Sequence, residues 1–300
     1  MASFILIFIC LALGILLRGL KVFPENTAQV LNRFVIYISL PALTLVQIHR
    51  LNLSADVWLP VSMPWLLYAL GALVFILLGK ILELPRKTVG TLILMGSLGN
   101  TSFVGFPLLE AFYGPGSLTT GILIDQPGTF LVASTLGIAT AAAFSDHAVK
   151  AQDILKKLFS FPPFLSLLLA LALRPLRYPE AANIILDRLG STLIPLSLIS
   201  VGAQLYFHPE KIKRVARNLS LGLGFKMVVA PLIFYLFYVR ILKQSGEITT
   251  ITLVESAMAP MITSGILVHE YGLDTELGSL LLGIGIPLSL LTVPIFVHFF

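Results

Sequence analysis

The chain has 300 residues, of which 57% are hydrophobic and 12% charged, with a net charge of +5 and a single cysteine, Cys10. Soluble domains carry roughly 25% charged residues, so this composition and a mean hydropathy of +0.94 exclude a water-soluble globular domain and define a polytopic membrane protein. One cysteine also excludes an internal disulfide framework and a cysteine-based zinc site.

A hydropathy window finds ten apolar runs, at 2–17, 28–48, 57–78, 88–112, 118–144, 154–173, 184–205, 219–239, 248–268 and 277–297. Each is close to the length of about 20 residues that crosses the hydrocarbon core. The opening Met1-Ala2-Ser3 lacks the basic flank of a secretory signal, so the first run reads as a retained helix. Arg33, near the start of the second run, reads as an interfacial anchor.

The fourth run is the most informative. It contains Asn100-Thr101-Ser102-Phe103-Val104-Gly105-Phe106-Pro107, which places polar side chains, Gly and Pro inside a span of membrane-crossing length. Pro107 lacks an N–H and conflicts with the carbonyl of Phe103, while Gly105 permits close backbone approach. The expected break frees backbone groups between Asn100 and Gly105, and such a break is tolerated at membrane depth only inside protein or beside a solvated cavity. In the ninth run Ala259-Pro260 and Ser264-Gly265 are expected to break the helix in the same way, with Thr263 and Ser264 supplying hydroxyls. Two half-helix N-termini meeting there would carry partial positive charge suited to a carboxylate. The plainer reading is that Pro and Gly only kink membrane helices for packing.

Ionisable groups inside the runs are costly and mark coupling sites. Asp125 and Gln126, beside Pro127-Gly128 in the fifth run, are the first candidates for exchanging a proton during transport; a later start of that helix would leave Asp125 at the interface instead. Glu255 lies a turn before Ala259, either lining the inner path or capping the helix. Glu110 follows Pro107 by one turn, and its two readings, interfacial and functional, stand level. Lys226 in the eighth run either neutralises an anion or, on the preferred reading, snorkels to the cytoplasmic surface.

An internal repeat links the two halves. Leu40-Pro41-Ala42-Leu43 is echoed by Ile194-Pro195-Leu196-Ser197, and Tyr113-Gly114 by Tyr271-Gly272, at offsets of 154 and 158 residues. The chain therefore reads as an all-α membrane protein of ten transmembrane helices in two five-helix repeats, 1–144 and 154–300, joined by a cytoplasmic linker at 145–153. An odd helix number inverts the second copy, the plan of secondary transporters whose broken helices, here four and nine, meet near the midplane.

Loop charge sets orientation. Loops after odd-numbered runs hold Arg18, Lys21, Lys80, Arg86, Lys87, Lys150, Lys156, Lys157, Lys211, Lys213, Arg214 and Arg217, against Arg50, Arg174, Arg177, Arg240 and Lys243 on the other side. The positive-inside bias places both termini outside the cytoplasm, and the basic face is suited to anionic lipid rather than nucleic acid. No phosphate-binding Gly-rich loop is present. His49, His147, His208, His269 and His298 lack metal-ligand spacing, so no metal or cofactor is expected. The Asn-x-Ser matches at Asn52, Asn100 and Asn218 read as chance.

The stretch Asn100 to Leu109, followed by Phe112-Tyr113-Gly114, resembles the fourth-helix signature of the auxin efflux carrier family. Leu31-Asn32-Arg33-Phe34 with Leu40-Pro41-Ala42-Leu43 is similar to that family's second helix, and Glu255-Ser256-Ala257-Met258-Ala259-Pro260 to its ninth. The resemblance implies two inverted five-helix repeats with crossing helices four and nine. It also implies an elevator-type homodimer with a scaffold of helices one, two, six and seven and a transport core of three to five and eight to ten. Asn100, Gly105 and Pro107 match the family's first crossover motif. Ser264 stands where plant members have proline, and Ala259-Pro260 where many bacterial members have Pro-Pro.

The expectation is thus a non-enzymatic secondary transporter of small carboxylates such as auxin-like, malate-like or malonate-like acids, in the cell (inner) membrane, coupled to H⁺ or Na⁺. Its expected binding residues are Asn100, Thr101, Gly105, Pro107, Pro260, Thr263, Ser264 and Gly265. A sodium-coupled symporter resembling the bile-acid carriers, and a channel or sensor without turnover, are the alternatives.

Overall fold

Prolines shape several of the helices. In the computed structural model, which describes residues 2–51, 57–145, 159–205 and 209–300, π-helical turns at Val35–Ser39, Thr101–Gly105 and Phe225–Val229 each end two residues before a proline, Pro41, Pro107 and Pro231. A proline cannot donate to the carbonyl four residues back, and its ring collides with that carbonyl in a regular α-turn. The wider π-turn moves the carbonyl aside, so the helix carries on through the proline. Pro127 sits within a fourth such turn, Asp125–Phe130.

Twelve helical segments follow among the described residues. They are α1 (Ala2–Gly19), α2 (Thr27–Arg50), α3 (Trp58–Ile81), α4 (Arg86–Ser97), α5 (Phe106–Tyr113), α6 (Ser117–Phe144), α7 (Pro162–Leu173), α8 (Glu180–Gln204), α9 (Ile212–Ile241), α10 (Glu247–Ser256), α11 (Ile262–Glu270) and α12 (Thr275–Phe299). The described chain is all-helical, with no strand. Six of these helices, α2, α3, α6, α8, α9 and α12, are long and apolar enough to cross a membrane. Large apolar side chains such as Phe8, Leu291 and Ile295 point outward and are more than 60% exposed. Water would penalise so much apolar surface, whereas lipid covers it at no cost. Residues 146–153 of the expected linker, together with Asn52, His147, Lys150, Lys156, Lys157 and His208, lie outside the described residues.

The helices gather into two compact units. Unit one comprises Met1–Ser54, Ser102–Ile122 and Leu158–Tyr206; unit two comprises Ala55–Thr101, Leu123–Lys157 and Phe207–Phe300. In unit one, α1 lies directly on α8: a Cβ placed on Gly14 would meet the Ile199 carbonyl oxygen at 2.3 Å, and one on Gly202 would meet that of Leu11 at 2.3 Å. Small residues at such a crossing let backbones touch, which is how helices associate where water supplies no driving force. Polar groups add to this contact. Ser200 Oγ donates to Asn32 Oδ1 at 2.6 Å, tying α8 to α2, and Thr119 Oγ1 donates to Gln47 Oε1 at 3.0 Å.

In unit two, α3 is the organising helix. Gly96 of α4 packs on the Phe75 ring, and Gly128 of α6 on the Pro64 ring. Trp65 Nε1 donates to the Pro127 carbonyl at 3.1 Å, and Tyr68 OH to Thr140 Oγ1 at 2.7 Å. The Pro127 carbonyl, set inside the π-turn of α6, thus finds its donor on α3. At the far end of α4, Thr88 Oγ1 donates to Asp274 Oδ2 at 2.8 Å, and Asp274 in turn caps α12 by accepting from the Leu277 N–H.

Candidate functional site

Two helices of unit two stop inside the protein and their ends cross. α4 ends at Ser97, and Leu98 turns to an extended conformation with φ −101° and ψ 122°. α10 ends at Ser256, and the chain becomes extended again at Met261, with φ −70° and ψ 134°, before α11 begins. The two extended pieces run antiparallel. Asn100 N–H donates to the Ala259 carbonyl at 2.7 Å and Met261 N–H to the Leu98 carbonyl at 2.9 Å, with Gly99 paired to Pro260 between them. That central pair is of the type that exchanges no hydrogen bonds of its own. Proline fits there because its missing N–H is not needed. The crossing is dry, with Leu98 and Asn100 at most 2% exposed and Ala257, Met258 and Ala259 fully buried.

In the fourth run the break falls earlier than Gly105-Pro107 indicated; in the ninth it falls at Ala259-Pro260, as expected, and not at Ser264-Gly265. In the fourth run the interruption is at 98–100, and the helix resumes at Thr101 as the π-turn that accommodates Pro107. In the ninth run it is at 257–261, and Ser264 and Gly265 lie within α11. Gly265 packs against Leu282: a Cβ there would meet Leu282 Cδ1 at 2.5 Å, so that side chain would have to shift.

Unit two holds Asn100, Thr101, Asp125, Gln126, Glu255, Pro260, Thr263, Ser264 and Gly265, whereas Gly105 and Pro107 belong to unit one. Asp125 lies within the helix α6, past its first two turns; it is 4% exposed and accepts a hydrogen bond from Thr101 Oγ1 at 2.6 Å. This excludes a later start of that helix with Asp125 at an interface. Gln126 and Ser264 are fully buried. Ser264 Oγ has no hydrogen-bond partner among the described residues.

Lys226 overturns the snorkelling expectation. It is fully buried, its Nζ donates to the Ser256 carbonyl at 2.6 Å, and a Cβ on Gly99 would lie 3.3 Å from that nitrogen. The ammonium therefore caps the last turn of α10, where carbonyl dipoles attract positive charge, and it lies against the crossing itself. The signal was in the sequence. Lys226 lies seven residues inside the eighth run, about 10 Å at 1.5 Å per residue, deeper than its side chain spans.

Glu255, in the same last turn, is also fully buried, and neither carboxyl oxygen has a hydrogen-bond partner among the described residues. Asp125 and Lys226 are both near enough to act on its charge. Ser97, Gly99, Thr101, Thr129, Lys226 and Glu255 line one cleft, too constricted to admit a water molecule. Ser97, Thr129 and Gly99 carried no sequence signal, because small and hydroxylated residues are ordinary in membrane helices. Among the described residues no cluster of His, Cys, Asp or Glu is suited to a metal ion.

An all-helical membrane protein with two interrupted helices crossing in its interior has the arrangement that secondary carriers use for their sites. The chain belongs to the membrane transport protein family, whose match covers residues 1–297 and which is the auxin efflux carrier family that its motifs resemble. It is 26% identical to an uncharacterized transporter of Methanocaldococcus jannaschii, over 91% of this chain and 90% of the relative. Identity is also 26% to an uncharacterized transporter of Methanothermobacter thermautotrophicus, over 96% and 94%. A Rhizobium meliloti protein named "putative malonate transporter" is 27% identical over 75% of this chain and 72% of its own length. The family and these relatives are transporters, not enzymes.

Proposed function

We propose that the protein is a secondary transporter of small organic anions, of the class of auxin-like, malate-like and malonate-like carboxylates, working by an elevator-type alternating-access mechanism. The observation that carries this reading is the crossing at Gly99 and Pro260 with the buried Lys226 ammonium against it. A cation held in a dry interior at the ends of two broken helices is a ready counter-charge for a carboxylate. In this reading Asn100, 2% exposed and next to Gly99 in the chain, orients such a ligand. The name of the Rhizobium meliloti relative supports a dicarboxylate.

In this reading unit two carries the substrate and α1, α2, α7 and α8 of unit one, which also holds α5 and the start of α6, form the scaffold. The ten spans form two inverted repeats, and the protein is a homodimer of the cell membrane with both termini on the non-cytoplasmic side. The constricted cavity is the closed form of the site, and substrate enters when the helix ends part.

The test is uptake of labelled malonate into proteoliposomes. Asn100→Ala is expected to abolish uptake while the purified protein unfolds at the wild-type temperature; undiminished uptake removes Asn100 from the site. A thermal-shift panel of carboxylates on the wild type tests the ligand class, because a ligand that binds only the folded state raises stability by mass action. If no carboxylate does so, the organic-anion assignment falls.

A further inference from the structure

We infer that Glu255 is a proton-binding site: the crossing closes with a proton on the Glu255 carboxyl, and opening of the cavity to water releases it. Four observations converge on this residue. Neither carboxyl oxygen has a hydrogen-bond partner among the described residues, and the residue is fully buried. The cavity it faces has no room for a water molecule that would solvate an anion. It stands in the last turn of α10, where the helix carbonyls disfavour negative charge. Lys226, the cation that acts on it among the described residues, directs its ammonium to the Ser256 carbonyl at 2.6 Å.

Among the described residues, the charged groups acting on Glu255 come from two helices. Asp125 of α6 acts on it with like charge and Lys226 of α9 with opposite charge. α3 presents only Met63, Pro64 and Leu67 to the cavity, and α12 carries Glu276 in its first turn and His298 in its last. Glu255 thus stands between one like and one opposite charge. Asp125 has a donor in Thr101 Oγ1 at 2.6 Å and is equipped to be the anion of the pair. Glu255 has none among the described residues, and an unpaired, buried carboxylate is costly. The step is a simple transfer: a proton from water forms an O–H bond on a Glu255 carboxyl oxygen before closure and returns to water after reopening.

If the carrier reading above holds, on which this consequence rests, each passage through the closed state takes a proton with it. Gln is the isosteric mimic of the protonated acid, so Glu255→Gln fixes the site in its closable form.

The test is infrared difference spectroscopy of the protein in lipid at pH 7. The wild type is expected to show a carboxylic-acid C=O stretch that is slow to respond to D₂O and is missing from Glu255→Gln. Glu255→Asp, which keeps an acid on a shorter stem, is expected to keep a displaced band. A wild type without the band, or a band that survives in Glu255→Gln, overturns the assignment. In proteoliposomes, malonate exchange by the wild type is expected to vary several-fold with pH, and by Glu255→Gln to be flat with pH whatever its absolute rate. Identical pH profiles overturn the coupling. Absence of malonate exchange in the wild type counts against the organic-anion reading alone, since the infrared result decides the proton site without a substrate.

Discussion

Replacing Gly14 by Ala tests how unit one is held together. The added Cβ would lie 2.3 Å from the Ile199 carbonyl oxygen, 2.8 Å from Ala203 N and 3.0 Å from Gly202 C, whereas an ordinary contact is 3.4–4 Å. All three atoms are backbone of α8, so no side-chain rotation relieves the overlap, and α1 must retreat by roughly 1 Å. A gap of that size forfeits about a quarter to a half of the dispersion attraction at each contact it opens, and overpacking of this kind costs about 1–3 kcal/mol. About 2 kcal/mol lowers the folded-to-unfolded ratio by a factor of about 30. Gly19, at the end of the same helix, has nothing within 4 Å of an added Cβ, and Ala there gains about 1 kcal/mol at most in helix propensity. The assay is SDS titration in mixed micelles, followed by circular dichroism because both tryptophans, Trp58 and Trp65, lie in α3, outside unit one. Gly14→Ala is expected to unfold at lower SDS than wild type and Gly19→Ala at the same SDS or higher. Equal midpoints for the two variants would refute the argument that backbone contact between α1 and α8 holds this unit.

Two further outcomes follow from the described contacts. Thr101→Val removes the buried donor to Asp125 and is expected to cost about 1.5–3 kcal/mol, as for hydrogen bonds to charged groups; Thr101→Ser, which keeps the hydroxyl, is expected to restore most of it in the same titration. Arg50→Ala breaks the pair with Asp187 at 2.9 Å, but both side chains are about half exposed. The expected loss is below about 1 kcal/mol, and a larger change in the midpoint would mean that the pair does more than face solvent.

The sequence by itself determined that this chain is a helical membrane protein, because that conclusion depends on composition and run length, which do not change on folding. It also marked the two interrupted runs, since Gly, Pro and polar side chains in an apolar span are visible without coordinates. Where those runs break was decided by tertiary structure. Pro107 looked like the breaker, yet a π-turn carries the helix through it, and the interruption lies at Gly99, whose antiparallel partner, Pro260, is 161 residues away in the chain and is flanked by Ala259 and Met261, which hydrogen-bond to Asn100 and Leu98. Lys226 makes the same point through charge. A lysine in an apolar run can reach the surface, the preferred reading from the sequence, or stay inside, and the choice depends on whether a distant carbonyl waits for it; Ser256 does. Hydropathy is additive along the chain, whereas a buried charge or a broken helix is stabilised by partners that only folding brings near.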